Sequence, residues 1–275
     1  MNIVLTGSSS GIGRSLAERL LSHGHNVWGL ARSDQSDFKA RHPASFQSSK
    51  CDVSVWEQVS AAASQVSSAW PHVEALIACA GSQGEVGRAV TADPLAWSQT
   101  VRANLDATFY SIRAFHSLLE KAPRRAKIVC FSGGGASKSR ANFTAYAAAK
   151  TGIVRLVETI AEEESKGRLD INALAPGAIN TRLTDEVLSK GPEVVGAAEY
   201  DTALRQKAAG GGSMDKALTA VEWLISEASD GISGRLLSAP WDPIDKLDKL
   251  MPTAKSGEFY KLRRTTPEDK GLKWS

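Results

Sequence analysis

Tyr146 and Lys150 stand four residues apart in the run Tyr-Ala-Ala-Ala-Lys. The surrounding stretch, 145–166, carries Ile153, Leu156, Val157 and Ile160 at helical spacing, which predicts a helix with one apolar stripe. On that helix the tyrosine and the lysine share a face. An ammonium so placed can stabilise a phenolate and lower the tyrosine from its ordinary pKa of about 10. A phenol tuned in this way can give a proton to a carbonyl oxygen or take one from an alcohol. A second chemical signature lies at the front of the chain, Thr6-Gly7-Ser8-Ser9-Ser10-Gly11-Ile12-Gly13. Gly7 suits a tight turn, Gly11 a close approach of backbone to a diphosphate, and Gly13 the packing of a helix on a strand. Ser9, Ser10 and Ile12 complete a loop that delivers the diphosphate to a helix N-terminus, where unpaired amides and the helix dipole favour negative charge.

The elements that must position these groups are legible as alternation. Short apolar, β-branched runs at 3–6, 27–31, 45–51, 75–79, 127–131, 171–175 and 235–238 read as strands. Longer stretches at 14–22, 55–70, 94–121, 145–166, 183–207 and 215–227 read as helices. Strands alternating with helices predict an α/β fold, a Rossmann-like doubly wound parallel sheet with helices on both faces. That domain occupies 1–240. The run Ala-Ala-Gly-Gly-Gly-Ser at 208–213 reads as a hinge, because consecutive glycines hold a helix poorly. The stretch 178–213 is then a flap on the substrate side. Residues 241–275 carry eight basic and six acidic side chains with little sustained apolar periodicity, and read as a C-terminal extension.

Composition narrows the function classes. The chain has 275 residues, 42% hydrophobic and 23% charged, with 33 Lys plus Arg against 30 Asp plus Glu. A net charge of +3 is too small to point to nucleic acid or to a membrane surface. The cluster Lys121, Arg124, Arg125 and Lys127 has no interleaved aromatics and reads as a solvated loop. No apolar run approaches the roughly 18 residues of a membrane span, and the first residues lack the pattern of a signal peptide. These features predict a cytoplasmic protein. Three widely spaced cysteines, Cys51, Cys79 and Cys130, make no disulfide framework, and five histidines offer no metal set.

The end of the second strand predicts the nucleotide. A carboxylate about twenty residues beyond the glycine loop would hold a ribose 2′-hydroxyl, whereas a basic side chain would accommodate a 2′-phosphate. Here the strand runs Trp28-Gly29-Leu30-Ala31 and is followed by Arg32 and Ser33, with no acid at its end. Arg32 can form a bidentate, charge-assisted contact with phosphate. NADP(H) is therefore favoured, with NAD(H) as the alternative.

Over 1–240 the sequence resembles the short-chain dehydrogenase/reductase family in its single-domain form. The matching motifs are the loop at 6–13, Cys51-Asp52-Val53, Ala80-Gly81, Ala103-Asn104-Leu105, Tyr146 to Lys150, and Ala175-Pro176-Gly177-Ala178-Ile179-Asn180-Thr181, in that order. The resemblance implies an oxidoreductase that moves hydride between a nicotinamide and a small-molecule carbonyl or secondary alcohol. It implies that Lys150 also holds the nicotinamide ribose and that Asn104 orders a water linking Lys150 to solvent. Asp52 and Val53 would meet the adenine, Ala80 and Gly81 the adenosine side, and Pro176, Gly177, Ile179 and Thr181 the nicotinamide. A homodimer or homotetramer through the long central helices is implied as well.

Two departures stand out. Cys79 replaces a side-chain amide and reads as a small buried residue. Gly133 stands where the family's substrate-binding serine is usual, thirteen residues before Tyr146, so Ser132 is the candidate to supply that hydroxyl, with loop amides as the alternative. Losing such a donor can cost about 10²- to 10³-fold in kcat. The same glycine motivates a different reading, a dinucleotide-binding sensor with weak or no turnover. Arg182, Asp185, Glu186, Tyr200 and Arg205 in the flap name no substrate.

Overall fold

The computed structural model describes residues 1–244, 246–247 and 257–272. Seven parallel strands form one sheet in the order β3-β2-β1-β4-β5-β6-β7. They are β1 (Asn2–Thr6), β2 (Asn26–Ala31), β3 (Phe46–Lys50), β4 (Ala75–Ala78), β5 (Ala126–Phe131), β6 (Leu169–Ala175) and β7 (Leu236–Ser238). The inner strands β4 and β5 are buried along their whole length, as runs covered on both faces must be. The helices are α1 (Gly11–Ser22), α2 (Ser36–Arg41), α3 (Trp56–Ala69), α4 (Pro94–Val101), α5 (Ala107–Glu120), α6 (Thr144–Glu163), α7 (Arg182–Lys190), α8 (Pro192–Val195), α9 (Ala197–Ala208) and α10 (Met214–Ile225).

Two apolar layers clamp the sheet. Val59 and Val66 of α3, Phe115 and Leu118 of α5, and Ile153 and Val157 of α6 fill one. Leu16 and Leu20 of α1, Phe38 of α2, and Val221 and Leu224 of α10 fill the other. The strand order reverses between β1 and β4, which opens a crevice at the carboxyl ends of those strands, where ligands of doubly wound sheets bind. Thr6 ties the two strands there, its Oγ1 accepting from the amides of Cys79 at 3.1 Å and Ala80 at 3.0 Å.

The element boundaries differ from the sequence reading in three informative places. The helix expected over 94–121 is broken by a π-turn at Arg102–Asp106 that carries Asn104. The helix expected over 183–207 is three, because Gly191 (φ 76°), followed by Pro192, and Gly196 (φ 88°) interrupt it. Finally, the glycines at 210–212, expected as a hinge, are pinned: the Gly212 amide donates to the Ala178 carbonyl at 2.7 Å, so the two ends of the flap meet.

The tail and the basic cluster are both docked. The Tyr260 carbonyl accepts from the Leu236 amide at 2.7 Å, and Glu158 of α6 accepts from the Leu262 amide at 2.6 Å. Ile244 and Leu247 are buried in the second apolar layer. Arg124, Arg125 and Lys127 do not form a solvated loop as expected. Arg124 pairs with Glu74 and Glu227, and Arg125 with Asp170. Lys127, 3% exposed on β5, meets Asp170, 2% exposed, at 2.9 Å. Asp170 also accepts from the Gly231 amide at 2.9 Å. Lys127 also meets Asp230 at 2.7 Å, so Asp170→Ala takes away one of two carboxylates and leaves the Gly231 amide without its acceptor; it should lower the unfolding free energy by about 1–3 kcal/mol, read as a fall in the urea midpoint at unchanged slope.

Candidate active site

The glycine loop is shaped by contacts that side chains would block. A Cβ on Gly13 would lie 2.2 Å from the Gly7 carbonyl oxygen, so α1 reaches the end of β1 only because that atom is missing. Gly7 itself sits at φ 73°, and a Cβ there would lie 3.0 Å from the Ala80 backbone. Ser10 occupies the N-cap of α1 without a side-chain capping bond. Ser9, Ser10, Gly11 and Ile12 face one large cleft of about 1310 Å³ that runs across the carboxyl ends of the strands.

At one end of that cleft Arg32 and Ser33 follow β2, both exposed. Among the described residues no carboxylate pairs with Arg32. Behind it, Ser8 donates to Gln35 at 2.6 Å, and a Cβ on Gly29 would lie 2.5 Å from the Ser8 hydroxyl. Asp52 and Val53 form the neighbouring wall. Asp52 spends one carboxylate oxygen on the Ser54 amide and hydroxyl, at 3.0 and 2.7 Å, a turn that fixes where the carboxylate points. Ala80 and Gly81 lie between the loop and the cleft's other end.

Tyr146, Lys150, Asn104 and Ser132 converge at that other end. Lys150, 4% exposed, donates from Nζ to the Phe131 carbonyl at 2.9 Å. Burial lowers it to about 8, against the opposing influence of the Cys79 and Cys130 thiols. Asn104 is fully buried and donates from Nδ2 to the Thr100 and Ser82 carbonyls at 2.9 and 3.0 Å. Its Oδ1 is buried without a partner among the described residues. The π-turn causes this: an extra residue in the turn rotates Asn104 out of the regular ladder and toward the cleft.

The expectation that Lys150 lowers the tyrosine is not what the structure shows. Burial pushes the Tyr146 hydroxyl up to about 12. The cation that opposes this is Arg140, and Glu186 adds to the rise. Lys150 Nζ stands 5.4 Å from the centre of the Tyr146 ring, its nearest protein oxygen being a main-chain carbonyl. Gly133 lies directly over the phenol, where a Cβ would come within 2.8 Å of the Tyr146 hydroxyl. Ser132 is buried and donates to the Lys150 carbonyl at 3.4 Å.

Pro176, Gly177, Ile179 and Thr181 line the cleft beyond β6. Val187, Val195 and Ala203 of the flap pack with Val86 and Phe143 in a small apolar cluster that includes Tyr146. Several cleft residues escaped the sequence reading. Gln83, Arg140 and Glu199 are brought together from separate elements, and no local spacing announces them. Trp241, Asp242 and Tyr260 of the tail also reach the cleft. Their one signal was an aromatic directly after Pro240.

The family model of the short chain dehydrogenases matches residues 1–191. The chain belongs to this family. Among curated relatives, the 3-oxoacyl-(acyl-carrier-protein) reductase MabA of Mycobacterium tuberculosis is 29% identical over 241 residues, covering 86% of this chain and 90% of that protein. A short chain dehydrogenase of Monascus ruber is 28% identical over 254 residues, covering 87% and 80%. Among solved structures, the ligand-free aldohexose dehydrogenase of Thermoplasma acidophilum superposes with a TM-score of 0.74 at 24% identity, covering 86% of this chain and 91% of that one. A short-chain dehydrogenase/reductase of Saccharomyces cerevisiae reaches 0.79 at 21% identity, covering 88% and 96%.

As a short-chain dehydrogenase the chain is an NAD(P)-dependent oxidoreductase, and its cleft fits a dinucleotide on its own geometry. The close packing of Gly13 on Gly7 sets the N-terminus of α1 at the end of β1, where its free amides face the cleft, and Asn104 Oδ1 is an acceptor without a partner among the described residues. Restoring a serine at 133 should not help this short-chain dehydrogenase. Gly133→Ser puts a Cβ into the phenol oxygen and should cost about 1–3 kcal/mol of stability by overpacking. It should also lower NAD(P)H-dependent turnover, as thermal unfolding and steady-state rates measured side by side would register.

Proposed function

We propose that this short-chain dehydrogenase is an NADP(H)-dependent enzyme that interconverts a small-molecule carbonyl and its secondary alcohol, with Tyr146 as general acid and base. The observation that carries the reading is the convergence of Tyr146, Lys150 and Asn104 at one end of a cleft whose other end holds the glycine loop and Arg32. The bound nicotinamide supplies the hydride for reduction, or accepts it in oxidation.

Tyr146 gives its hydroxyl proton to the carbonyl oxygen as the carbon gains hydride, which leaves an alcohol and a phenolate. Lys150 sits beside that phenolate, and with its pKa held near 8 it can pass a proton back within the physiological range. Asn104 Oδ1, buried and unpartnered among the described residues, is the acceptor that fixes a water leading from Lys150 to solvent. Ser132 is the proposed second donor to the substrate oxygen. Its bond to the Lys150 carbonyl is long, at 3.4 Å, so a rotamer change frees the hydroxyl.

For the cofactor, Gly7, Ser9, Ser10, Gly11, Ile12 and Gly13 would seat the diphosphate. Asp52 and Val53 would meet the adenine, Ala80 and Gly81 the adenosine side, and Pro176, Gly177, Ile179 and Thr181 the nicotinamide. Exposed Leu95 and Phe109 on α4 and α5 support a homodimer or homotetramer. Three free thiols support a reducing, cytoplasmic setting. No helix among the described residues is long and apolar enough to cross a membrane. The apolar cluster beside Tyr146 favours a substrate with an apolar arm, so a 3-oxoacyl-(acyl-carrier-protein), the substrate in the name of the mycobacterial relative, heads the carbonyl panel.

Tyr146→Phe should cut NADPH consumption by about 10²- to 10⁴-fold with unchanged NADPH affinity, and Ser132→Ala by about 10²- to 10³-fold. An Ser132→Ala enzyme with unaltered kcat/KM would move the second-donor role to the loop amides. Arg32→Ala should weaken NADPH by about tenfold or more, the value of one charge-assisted contact, while calorimetry shows NADH binding unchanged. Tight NADPH binding with no turnover across the panel would instead select the sensor reading that Gly133 motivates.

A further inference from the structure

Arg140 stands outside every motif of the chain, yet it joins three elements around the tyrosine. Its Nε donates to Glu199 of α9 at 3.0 Å, and Nη2 contacts the same carboxylate oxygen. Nη1 donates to the side chain of Gln83, in the loop after β4, at 3.1 Å. Its guanidinium lies 3.8 Å over the Phe143 ring and 5.7 Å from the centre of the Tyr146 ring. Two residues on, Asn142 donates from Nδ2 to the Val195 carbonyl of α8 at 3.1 Å. The loop that carries Gly133 thus grips the flap at two of its helices.

We infer that Arg140 is a positioning residue of the reaction: clamped by Glu199 and Gln83, it holds the flap over Tyr146 and lays a compensated positive charge against the tyrosine ring. The two halves of this role have separate origins. The clamp follows from the planar fork, which meets the Glu199 carboxylate and the Gln83 oxygen together as an ammonium cannot. The charge matters because Tyr146 is enclosed by apolar neighbours, where an ion acts with little screening. The charged groups that face Tyr146 are Arg140 from its loop, Lys150 from its own helix and Glu186 from α7, with Glu199 balancing Arg140 from α9. Gln83 closes the ring, its main-chain N–H donating to Glu186 at 3.1 Å. Because Gly133 brings no hydroxyl to the phenol, the loop's influence on Tyr146 runs through the guanidinium.

The inference rests on the assignment of Tyr146 as the acid and base, and its test is chosen to be independent of turnover. Protein carrying carbon-13 tyrosine is titrated by NMR, the Tyr146 signal being assigned by its absence in Tyr146→Phe. Arg140→Gln removes a cation, so Tyr146 should begin to ionise at higher pH than in the parent. Glu199→Gln leaves Arg140 uncompensated, so ionisation should begin at lower pH. Arg140→Lys keeps the charge and loses the fork, so the titration should stay near the parent while amides of α8 and α9 exchange with solvent about tenfold faster or more. In turnover assays, Arg140→Gln should lower kcat by about 10- to 100-fold through misplacement of the tyrosine, with NADPH affinity unchanged. Shifts of the same sign in Arg140→Gln and Glu199→Gln, or none in either, overturn the inference, since a packing role alone has no reason to reverse sign. If Arg140→Gln fails to fold, the parent, Glu199→Gln and Arg140→Lys still carry the test, because a downward shift in the glutamate variant alone is required. Retained activity in Tyr146→Phe would refute the tyrosine assignment and leave the titration result standing.

Discussion

The Tyr146 end of the cleft is organised around one costly act, taking the Lys150 ammonium out of water. An unpaired buried ammonium is among the most expensive groups a protein can hold, and the surroundings answer in kind. The Phe131 carbonyl at the end of β5 accepts one of its three protons. The thiols of Cys79 and Cys130 stand near enough to favour the charged form, and burial still brings the lysine down to about 8. Gly81 keeps the space between this ammonium and Asn104 open, since a Cβ there would lie 2.7 Å from Asn104 Oδ1 and 3.4 Å from Lys150 Nζ. The π-turn at Arg102–Asp106 exists in the same cause, because a regular helix from α4 into α5 would carry Asn104 elsewhere.

A second consequence is how the loop above the tyrosine is built. The phenol oxygen fills the space that a side chain at 133 would take, so hydroxyl and tyrosine compete for one volume and the tyrosine holds it. The loop compensates further along, where Thr151 accepts the task of tethering it by donating toward the Gly135 and Ala136 carbonyls at 3.3 and 3.2 Å. Asn142, at φ 64°, turns the chain where the Arg140 guanidinium lies over the buried Phe143 ring. Asparagine tolerates that conformation better than most residues.

The alternation of strands and helices, the glycine loop and the Tyr146–Lys150 pair were legible because each is a local pattern: a periodicity, a missing Cβ, a separation of four on a helix. The candidate residues gather in one cleft because the ends of parallel strands bring distant segments together, which alternation alone foretells. What escaped was set by partners far along the chain. Lys127 reads as a surface charge until Asp170, on the neighbouring strand, takes it inside. Arg140 and Glu199 are 59 residues apart, and neither has a spacing to mark it. The π-turn escaped for another reason: α4, the turn and α5 share one continuous apolar rhythm, and a single added residue does not break it. The ionisation of Tyr146 was misjudged because spacing told of the lysine and nothing told of the lid.

That lid bears on the direction of chemistry. Val86, Phe143, Val187 and Val195 pack about the phenol and remove the water that would solvate a phenolate, which is why burial leads the causes that hold Tyr146 near 12. A phenol with that pKa is protonated throughout the physiological range, and the protonated form is the one carbonyl reduction consumes. Oxidation of an alcohol needs the phenolate, whose formation the same lid opposes by about 1.4 kcal/mol for each unit above the ordinary value. In the proposed role of Tyr146, the residues that shape this end of the cleft therefore also bias the tyrosine toward giving its proton.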